Sequence, residues 1–332
     1  MLMMLAVTSV PSYLRSRGLS AISDGAWSVH QLTGGVSGAV YSAFDGDKRF
    51  VVKQSLEKLA VEDDWTAPRE RILNEARVLD ILGDVVPTHS PVVLDVDADT
   101  LTITMEHAPL DWGDWKGELL DGHVDVALTG NLGRALGAIH TATSKMTWQL
   151  PPDDGAAGFL ELRIEPFHYT LAERLPAYAD QVSQVADRVL PRQDCLVHGD
   201  FSPKNILVAP RQSENRPFWI IDDEVGHRGD PTFDLAFFLS HLALKRVRAT
   251  SDIKPFFDEA AARFLVEYEV TGLPFGRQDL SEQIGCLVLS RIVGRSQVRY
   301  LTEAERQTAQ DVGVALLTRS DEYTLDAPLT TA

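Results

Sequence analysis

Residues 195–208 read CLVHGDFSPKNILV, and this stretch decides the fold. Its two apolar runs, Cys195–Val197 and Ile206–Val208, predict short buried strands on either side of a polar turn. The turn carries a carboxylate, Asp200, and an amide, Asn205, five residues apart. Both polar side chains are therefore expected between two strands, where a rigid framework fixes their positions.

A third oxygen-bearing side chain follows nearby. Asp222 lies fourteen residues after Val208, at the end of an apolar run over residues 218–221 that predicts another strand. A base, an amide and a carboxylate at neighbouring strand ends are the groups that metal-assisted phosphoryl transfer requires. One group receives the proton of the attacking hydroxyl, and two hold Mg²⁺ against the nucleotide phosphates. The stretch therefore indicates this class of reaction.

Length and composition limit what the chain can be. Its 332 residues suffice for two lobes with a sizeable core, and 44% hydrophobic with 24% charged residues is typical of a globular protein. The net charge of −17 argues against nucleic acid and anionic membranes as partners, because both repel an acidic surface. The oligomeric state is not determined by the sequence.

Two further features predict a cytoplasmic location. Cys195 and Cys286 lie in apolar contexts without metal-ligand spacing, so we expect reduced core residues. The apolar start at residues 1–7 lacks a basic region and is too short to cross a membrane. No export signal is expected.

The first lobe is expected to open with two strands, residues 29–32 and 40–44, around a glycine-rich turn. The backbone N–H groups of such a turn can approach a triphosphate, because no side chains block the way. The turn residues expected to bind the nucleotide are Gly34, Gly35, Ser37 and Gly38. The alternative is a hairpin without a ligand.

A buried ion pair is expected next. The third strand, residues 50–54, ends near Lys53, and a helix is predicted over residues 68–82. Glu75 falls on the apolar face of that helix, where a carboxylate is costly unless it is paired, whereas Glu70 lies off that face and is expected in solvent. We therefore predict that Lys53 pairs with Glu75 and points its ammonium at the nucleotide phosphates, rather than lying in solvent at a strand edge.

The first lobe is expected to span residues 1–107 and the second residues 108–332. Strands over residues 92–96 and 101–105 precede an irregular segment, which is typical of a hinge between lobes. In this hinge the backbone of Glu106 and Ala108 is predicted to bind the adenine edge.

The second lobe is predicted to be mainly helical, with helices over residues 131–142, 176–190, 255–270, 280–300 and 303–317. His140 is expected to be a packed or capping residue rather than a catalyst. Arg163 and Glu165 precede the catalytic loop and are candidates for shaping the acceptor site. Asp230, before a proline, predicts a helix cap, and Asp234 is expected to support the backbone of the catalytic loop.

The motifs His198-Gly199-Asp200 with Asn205, Asp222-Asp223-Glu224, and Gly229-Asp230-Pro231 with Asp234 resemble the aminoglycoside phosphotransferase/choline kinase family. The resemblance covers about residues 32–317. It implies an α+β, bilobal, protein-kinase-like fold with a small antiparallel-sheet N-lobe and a larger, mainly helical C-lobe. It implies Asp200 as the catalytic base. The implied magnesium ligands are Asn205, Asp222 and Glu224, and Lys53 with Glu75 is implied at the nucleotide phosphates.

Two features depart from the family pattern. The glycine turn has Ser37-Gly38 where the family often has Ser-Asn, and Arg291 stands alone where methylthioribose kinases are expected to carry paired arginines. Arg291, Arg295 and Arg299 recur at helical spacing and are interpreted as a solvated helix face.

The resemblance implies transfer of the γ-phosphoryl group of ATP, with Mg²⁺, to a hydroxyl of a small molecule. The acceptor is expected to be an aminoglycoside-like or other sugar-containing compound, which would make antibiotic resistance a possible role. The alternatives are a metabolic acceptor of the methylthioribose, choline or homoserine type, and a pseudokinase that binds nucleotide without turnover.

Overall fold

The computed structural model describes residues 4–23, 27–32, 38–56, 68–150, 155–325 and 327–329. The chain forms the predicted α+β architecture, with an antiparallel sheet near the N-terminus and a mainly helical remainder. Gly34, Gly35 and Ser37 lie outside the described residues, so the predicted phosphate-binding role of their turn stays a prediction.

Five antiparallel strands form the N-terminal sheet, in the order β1-β2-β3-β5-β4. The strands are β1 (Ser28–Leu32), β2 (Gly38–Phe44), β3 (Arg49–Ser55), β4 (Val93–Asp97) and β5 (Thr102–Glu106). The turn between β2 and β3 is stabilised by the Asp45 carboxylate, which accepts hydrogen bonds from the backbone N–H groups of Asp47 and Lys48 at 2.9 and 2.7 Å. Gly46 provides the positive φ of 104° that this tight turn needs.

Side chains alternate across β3, so the sheet has two different faces. Phe50 and Val52 pack against helix α1 (Val10–Ser16), which the sequence analysis did not predict. Residues on the opposite face pack against α2 (Arg71–Val85), and this second cluster contains Ile72, Ala76, Leu79, Ile103 and Met105. Lys53 belongs to the α2 side, because it is three residues from Phe50 on an alternating strand.

The C-terminal part packs around α8 (Pro231–Arg248), which is buried on nearly every side. The preceding elements are β6 (Gly113–Asp114), α3 (Trp115–Leu120), α4 (Val126–Lys145), α5 (Ala156–Phe159), a π-helical stretch (Leu160–Tyr169), α6 (Thr170–Arg174), α7 (Ala179–Val189), β7 (Cys195–Val197), β8 (Ile206–Val208), β9 (Phe218–Ile220) and β10 (His227–Gly229). After α8 come α9 (Lys254–Thr271), α10 (Arg277–Val293) and α11 (Glu303–Thr318).

The strands around the catalytic loop lie where the sequence predicts them. Strand β7 pairs antiparallel with β10, and β8 lies between β6 and β9 in a second small sheet. The ends of β7, β8 and β9 thereby deliver the polar residues of the loop to one region. The boundary between lobes after residue 107 stays a prediction.

One predicted helix ends early. Residues 280–300 were expected to be a single helix, but α10 stops at Val293 and the chain turns at Gly294, whose N–H donates to Ser290 O at 2.9 Å. Arg295 and Arg299 therefore do not continue the helix face of Arg291. The prediction of a solvated arginine face is wrong for Arg291, which is partly buried against aromatic rings.

Two findings bear on the environment of the chain. Cys195 and Cys286 are free and buried, as predicted. Among the helices of the described ranges, none combines the length and the apolar character that crossing a membrane requires.

Close packing of α4 on α9 generates a stability prediction. A Cβ on Gly133 of α4 would overlap the backbone carbonyl of Phe264 on α9, whereas Gly83 of α2 has nothing within 4 Å. Gly133→Ala should lower the free energy of unfolding by about 2–3 kcal/mol, because the helices must move apart. Gly83→Ala should raise it by up to about 1 kcal/mol through helix propensity. Urea unfolding of both variants provides the measurement, and a neutral Gly133→Ala would contradict the described contact.

Candidate active site

The predicted ion pair between Lys53 and Glu75 is present. The Lys53 ammonium lies 2.7 Å from Glu75 Oε2 and 2.5 Å from Asp222 Oδ1. Lys53 comes from β3, Glu75 from α2 and Asp222 from the segment after β9. One ammonium group therefore joins the N-terminal sheet, its helix and the C-terminal part of the chain.

A second ion pair flanks the first. Arg71 Nε at the start of α2 lies 3.2 Å from Glu224 Oε2. Oxygens of Glu75, Asp222 and Glu224 all lie within 4.8 Å of one another. Arg71 was not expected at this site, because 153 positions separate it from Glu224 and no local spacing joins the two residues.

Charge is unevenly balanced in this group. Burial acts to lower the pKa of Lys53, but Asp222 and Glu75 outweigh it and hold the pKa well above its usual value. Burial raises the pKa of Glu75 to about 8, with Asp222 and Glu224 adding to the effect against Lys53. Three carboxylates therefore share one ammonium and one guanidinium.

The group has the chemistry of a divalent-cation site. Hard cations such as Mg²⁺ take oxygen ligands, and a bound cation would balance the carboxylate that Lys53 and Arg71 leave uncompensated. Asp222 is held at a positive φ of 70°, a conformation that non-glycine residues rarely adopt and that is common where function fixes the backbone. The predicted ligands Asp222 and Glu224 fit such a cation, and Glu75 is a third oxygen donor beside them.

Asn205 lies on the catalytic loop, in the turn before β8. The side-chain NH₂ group of Asn205 donates to the backbone carbonyl of Asp200 at 3.0 Å. The backbone carbonyl of Asn205 accepts a hydrogen bond from Ile221 N at 3.0 Å. The second bond ties the loop to the residue before Asp222. The side-chain oxygen of Asn205 accepts no hydrogen bond from a described residue, which fits the predicted role as a ligand.

Asp200 is buried and held through one of its two carboxylate oxygens. Arg163 Nη2 lies 3.1 Å and Lys204 Nζ 3.0 Å from Asp200 Oδ2. Oδ1 is buried and has no hydrogen-bond partner among the described residues. Burial acts to raise the pKa of Asp200, but Lys204 and Arg163 outweigh it, so the pKa is lowered and the group is ionised at neutral pH.

The predicted support of the catalytic loop by Asp234 is confirmed. Its carboxylate accepts hydrogen bonds from the backbone N–H groups of His198 and Gly199 at 2.7 and 2.9 Å. Gly199 has a φ of 76°, and a Cβ there would lie 2.8 Å from Val225 O. Asp234 therefore fixes a turn in which position 199 favours glycine over any residue with a Cβ.

His140 has the structural role that the sequence predicts. Its ring is fully buried, and its two nitrogens lie 2.9 Å from the Tyr268 hydroxyl and 3.3 Å from Asp234 Oδ2. The predicted cap is also confirmed, since Asp230 Oδ1 accepts from Thr232 N at the start of α8.

The hinge residues line an open cavity of about 710 Å³, together with Phe50, Leu94 and Trp219 among others. The backbone N–H of Ala108 donates to no described residue. The predicted contact of Glu106 and Ala108 with adenine stays a prediction.

The two candidate arginines meet on one aromatic surface. The guanidinium carbons of Arg163 and Arg291 lie 5.7 and 4.9 Å from the centre of the Phe167 ring, and both lie within 5.6 Å of the Phe237 ring. Glu165 is exposed and makes no side-chain contact with them. Arg163 and Arg291 therefore form a pair beside Asp200, which sequence spacing did not reveal because 128 positions separate them.

The model of the phosphotransferase enzyme family matches residues 28–278, which is most of the chain and includes Lys53, Asp200 and Asp222. The chain belongs to this family. A member of the phosphotransferase family with this site is a kinase that phosphorylates a hydroxyl-type acceptor on a small molecule.

Among relatives, a methylthioribose kinase from Bacillus cereus is 24% identical over 322 residues, covering 82% of this phosphotransferase and 80% of the relative. A methylthioribose kinase from Bacillus mycoides is 25% identical over 267 residues, covering 72% and 67%.

Solved structures show the same fold. An aminoglycoside phosphotransferase in complex with AMP-PNP and hygromycin B has a TM-score of 0.54 at 18% identity, covering 96% of this chain and 100% of its own. A choline kinase from Streptococcus pneumoniae has a TM-score of 0.50 at 17% identity, covering 88% and 93%. The bilobal, kinase-like fold expected from the sequence is confirmed.

The buried Asp234 network generates a pH-dependent prediction. Burial acts to raise the pKa of Asp234, but His140 and the backbone N–H of His198 outweigh it, so the pKa is lowered. Asp234→Asn places an amide donor against two backbone donors and should lower the free energy of unfolding by about 3–5 kcal/mol at pH 7. The difference from the wild type should be complete above the unfolded pKa of about 4 and shrink as the pH falls through the lowered folded value.

Urea titrations between pH 7 and pH 3 measure this difference. Asp187→Asn on the exposed face of α7 is the matched control and should stay within about 0.5 kcal/mol of the wild type. An Asp234→Asn variant as stable as this control would contradict the support of the catalytic loop by Asp234.

Proposed function

We propose that the phosphotransferase transfers the γ-phosphoryl group of ATP, with Mg²⁺, to a hydroxyl of a small sugar-containing molecule. The observation that carries this proposal is the state of Asp200, which is ionised, buried and held through Oδ2 while Oδ1 has no described donor. A carboxylate in this state is ready to accept one proton from an incoming hydroxyl.

Three residues position the reacting groups in this proposal. Lys53 would bind the nucleotide phosphates, since its ammonium already lies among carboxylates at the junction of the two parts of the chain. Asp200 Oδ1 would accept the proton of the acceptor hydroxyl as the new O–P bond forms and the bond to the β-phosphate breaks. Lys204, 3.0 Å from Asp200 Oδ2, would stand beside the phosphoryl group in transfer and neutralise its charge.

Asn205, Asp222 and Glu224 would hold Mg²⁺. The metal supplies charge neutralisation of the phosphates when it is bound. For this to occur Asp222 must share or give up its contact with Lys53, and Glu224 its contact with Arg71. The alternative of a pseudokinase is not favoured, because the base, the lysine and the oxygen ligands are all present in one region.

The charges around Asp200 favour some classes of acceptor over others. A polycationic aminoglycoside, which the sequence analysis placed first among sugar-containing acceptors, would meet Arg163, Lys204 and Arg291 at this end of the site. Like charges at close range disfavour such a ligand. A neutral or anionic sugar-containing acceptor suits these residues better. The similarity to methylthioribose kinases also supports a sugar-containing acceptor of this kind. ATP as the donor and the two buried free cysteines support a cytoplasmic location.

Incubation with Mg-ATP and a panel of hydroxylated compounds, followed by mass spectrometry for phosphoryl adducts, tests the proposed function. The panel pairs aminoglycosides with neutral and anionic sugars. Adducts confined to the aminoglycosides would contradict the acceptor assignment, and ATP binding without any adduct would favour the pseudokinase.

Asp200→Asn should lower kcat by at least about a hundredfold, because general-base catalysis usually contributes 10² to 10⁴. Binding of AMP-PNP should change little, since Asp200 contacts Arg163 and Lys204 and not Lys53. Steady-state kinetics with an acceptor from the panel and titration calorimetry with AMP-PNP are the measurements. Near-normal turnover in a folded variant would remove Asp200 from the role of base.

Glu224→Gln should raise the Mg²⁺ concentration needed for half-maximal activity several-fold, because a neutral amide is a weaker ligand than a carboxylate. The KM for ATP at saturating Mg²⁺ should stay near that of the wild type. Glu70→Gln, one residue before α2 and exposed, is the control. An unchanged Mg²⁺ requirement in both variants would leave Glu224 only its ion pair with Arg71.

A further inference from the structure

A buried lysine lies close to the candidate active site without a carboxylate partner. Lys245, in the last turn of α8, is 2% exposed, and its ammonium donates to the backbone carbonyl of His241 at 3.2 Å. The Tyr300 ring lies 5.7 Å from the same ammonium. Within the described ranges, no Asp or Glu lies within ion-pair distance of Lys245.

Arg291 of α10 lies next to this lysine, is partly buried, and also lacks a carboxylate within ion-pair distance among the described residues. Its guanidinium donates to the backbone oxygen and the hydroxyl of Ser296, and Nη2 lies 3.4 Å from His241 Nε2. These partners are neutral, and no described carboxylate forms an ion pair with Arg291. The Tyr300 hydroxyl is buried and has no hydrogen-bond partner among the described residues. We name His241, Lys245, Arg291 and Tyr300 the α8–α10 cluster.

Lys245 and Arg291 meet at His241. Lys245 Nζ lies 3.2 Å from His241 O, and Arg291 Nη2 lies 3.4 Å from His241 Nε2. Burial, then Lys116 and Arg291, lower the pKa of Lys245 to about 7, against the opposing effect of Asp114. Burial lowers the pKa of Arg291 to about 10, with Asp200 acting in the opposite direction. The charges of Arg291 and Lys204 also act on His241. The cluster is therefore close to the catalytic loop, and α3, α8, α10 and the loop each contribute a cationic side chain near it.

This arrangement is costly for the protein alone. Placing unpaired ammonium and guanidinium groups in a buried region costs several kcal/mol per ion after relaxation. The chain has a net charge of −17 and 48 acidic residues, so carboxylates to neutralise the cluster are abundant elsewhere. A lysine with only a structural role at the end of a helix would normally reach solvent, because its long stem allows the charge to leave the interior.

We propose that the α8–α10 cluster binds an anionic group, a phosphate or a carboxylate, on the acceptor. The inference rests on the proposed function, because it deepens the assignment of the acceptor at that site. Lys245 and Arg291 would donate charge-assisted hydrogen bonds to the anion, and the free Tyr300 hydroxyl would add a third. The substrate is then a hydroxylated molecule with a negative charge remote from the reacting hydroxyl.

The test uses the full chain saturated with AMP-PNP and Mg²⁺, so that the nucleotide-phosphate site is filled. Inorganic phosphate and acetate are titrated separately by calorimetry, which distinguishes a phosphate from a carboxylate ligand. We expect one of them to bind, and Lys245→Gln to weaken that binding by at least about tenfold, since a hydrogen bond to a charged group is lost. Lys145→Gln, at the exposed end of α4, is the matched control and should bind like the wild type.

Thermal unfolding without the anion gives a second readout. Lys245→Met removes an unpaired buried charge and keeps the apolar stem, so this variant should be at least as stable as the wild type. A marked loss of stability would indicate a structural lysine and overturn the proposal. So would the absence of phosphate and acetate binding in the wild type, or equal binding in Lys245→Gln.

The same experiments separate this inference from the proposed function. If the wild type phosphorylates sugars that carry a phosphate or carboxylate and Lys245→Gln does so equally well, the cluster has no part in acceptor binding but the phosphotransferase function stands. If AMP-PNP does not bind at all, the proposed function fails independently of the cluster.

Discussion

The buried ammonium of Lys53 is the interaction on which the site depends. It contacts Glu75 at 2.7 Å and Asp222 at 2.5 Å, and these residues come from a strand, a helix and the end of a distant strand. Each carboxylate would be too costly to bury alone, so the position of α2 against the sheet and of the sheet against the C-terminal part are coupled through one charge. In the proposed function a nucleotide phosphate would take the place of one carboxylate at Lys53 and preserve that balance, so nucleotide binding would be linked to the relative positions of the two parts.

Buried polar groups in the catalytic loop are also paired, but by hydrogen bonds rather than by an ammonium group. Two backbone N–H groups that point into the interior are satisfied by Asp234, and Asp234 is in turn satisfied by His140. All of these groups are fully or nearly fully buried, so the loop has little freedom. The position of Asp200 therefore depends on Asp234 and His140, and Arg163 and Lys204 contact Asp200 Oδ2 and leave Oδ1 free.

Positive charge is concentrated beside Asp200 in an otherwise acidic protein. Arg163 and Arg291 share the rings of Phe167 and Phe237, and Lys245 lies behind them on α8. Aromatic faces stabilise these cations without neutralising them, since the ring quadrupole attracts a cation but carries no net charge. Arg291 and Lys245 thus keep their charge, whereas the charge of Arg163 is balanced by Asp200.

Local patterns in the sequence determined the strands at residues 195–197 and 206–208, the Lys53–Glu75 pair, the cap at Asp230 and the support by Asp234. Each follows from periodicity or from the cost of burying one charge. Tertiary structure alone decided the covering of the sheet by α1, the partner of Glu224 and the meeting of Arg163 with Arg291. These contacts join residues far apart in the chain, and the turn at Gly294 removes Arg295 and Arg299 from the helix face of Arg291. Spacing along one helix contains no information about such encounters, because they depend on how helices pack against each other.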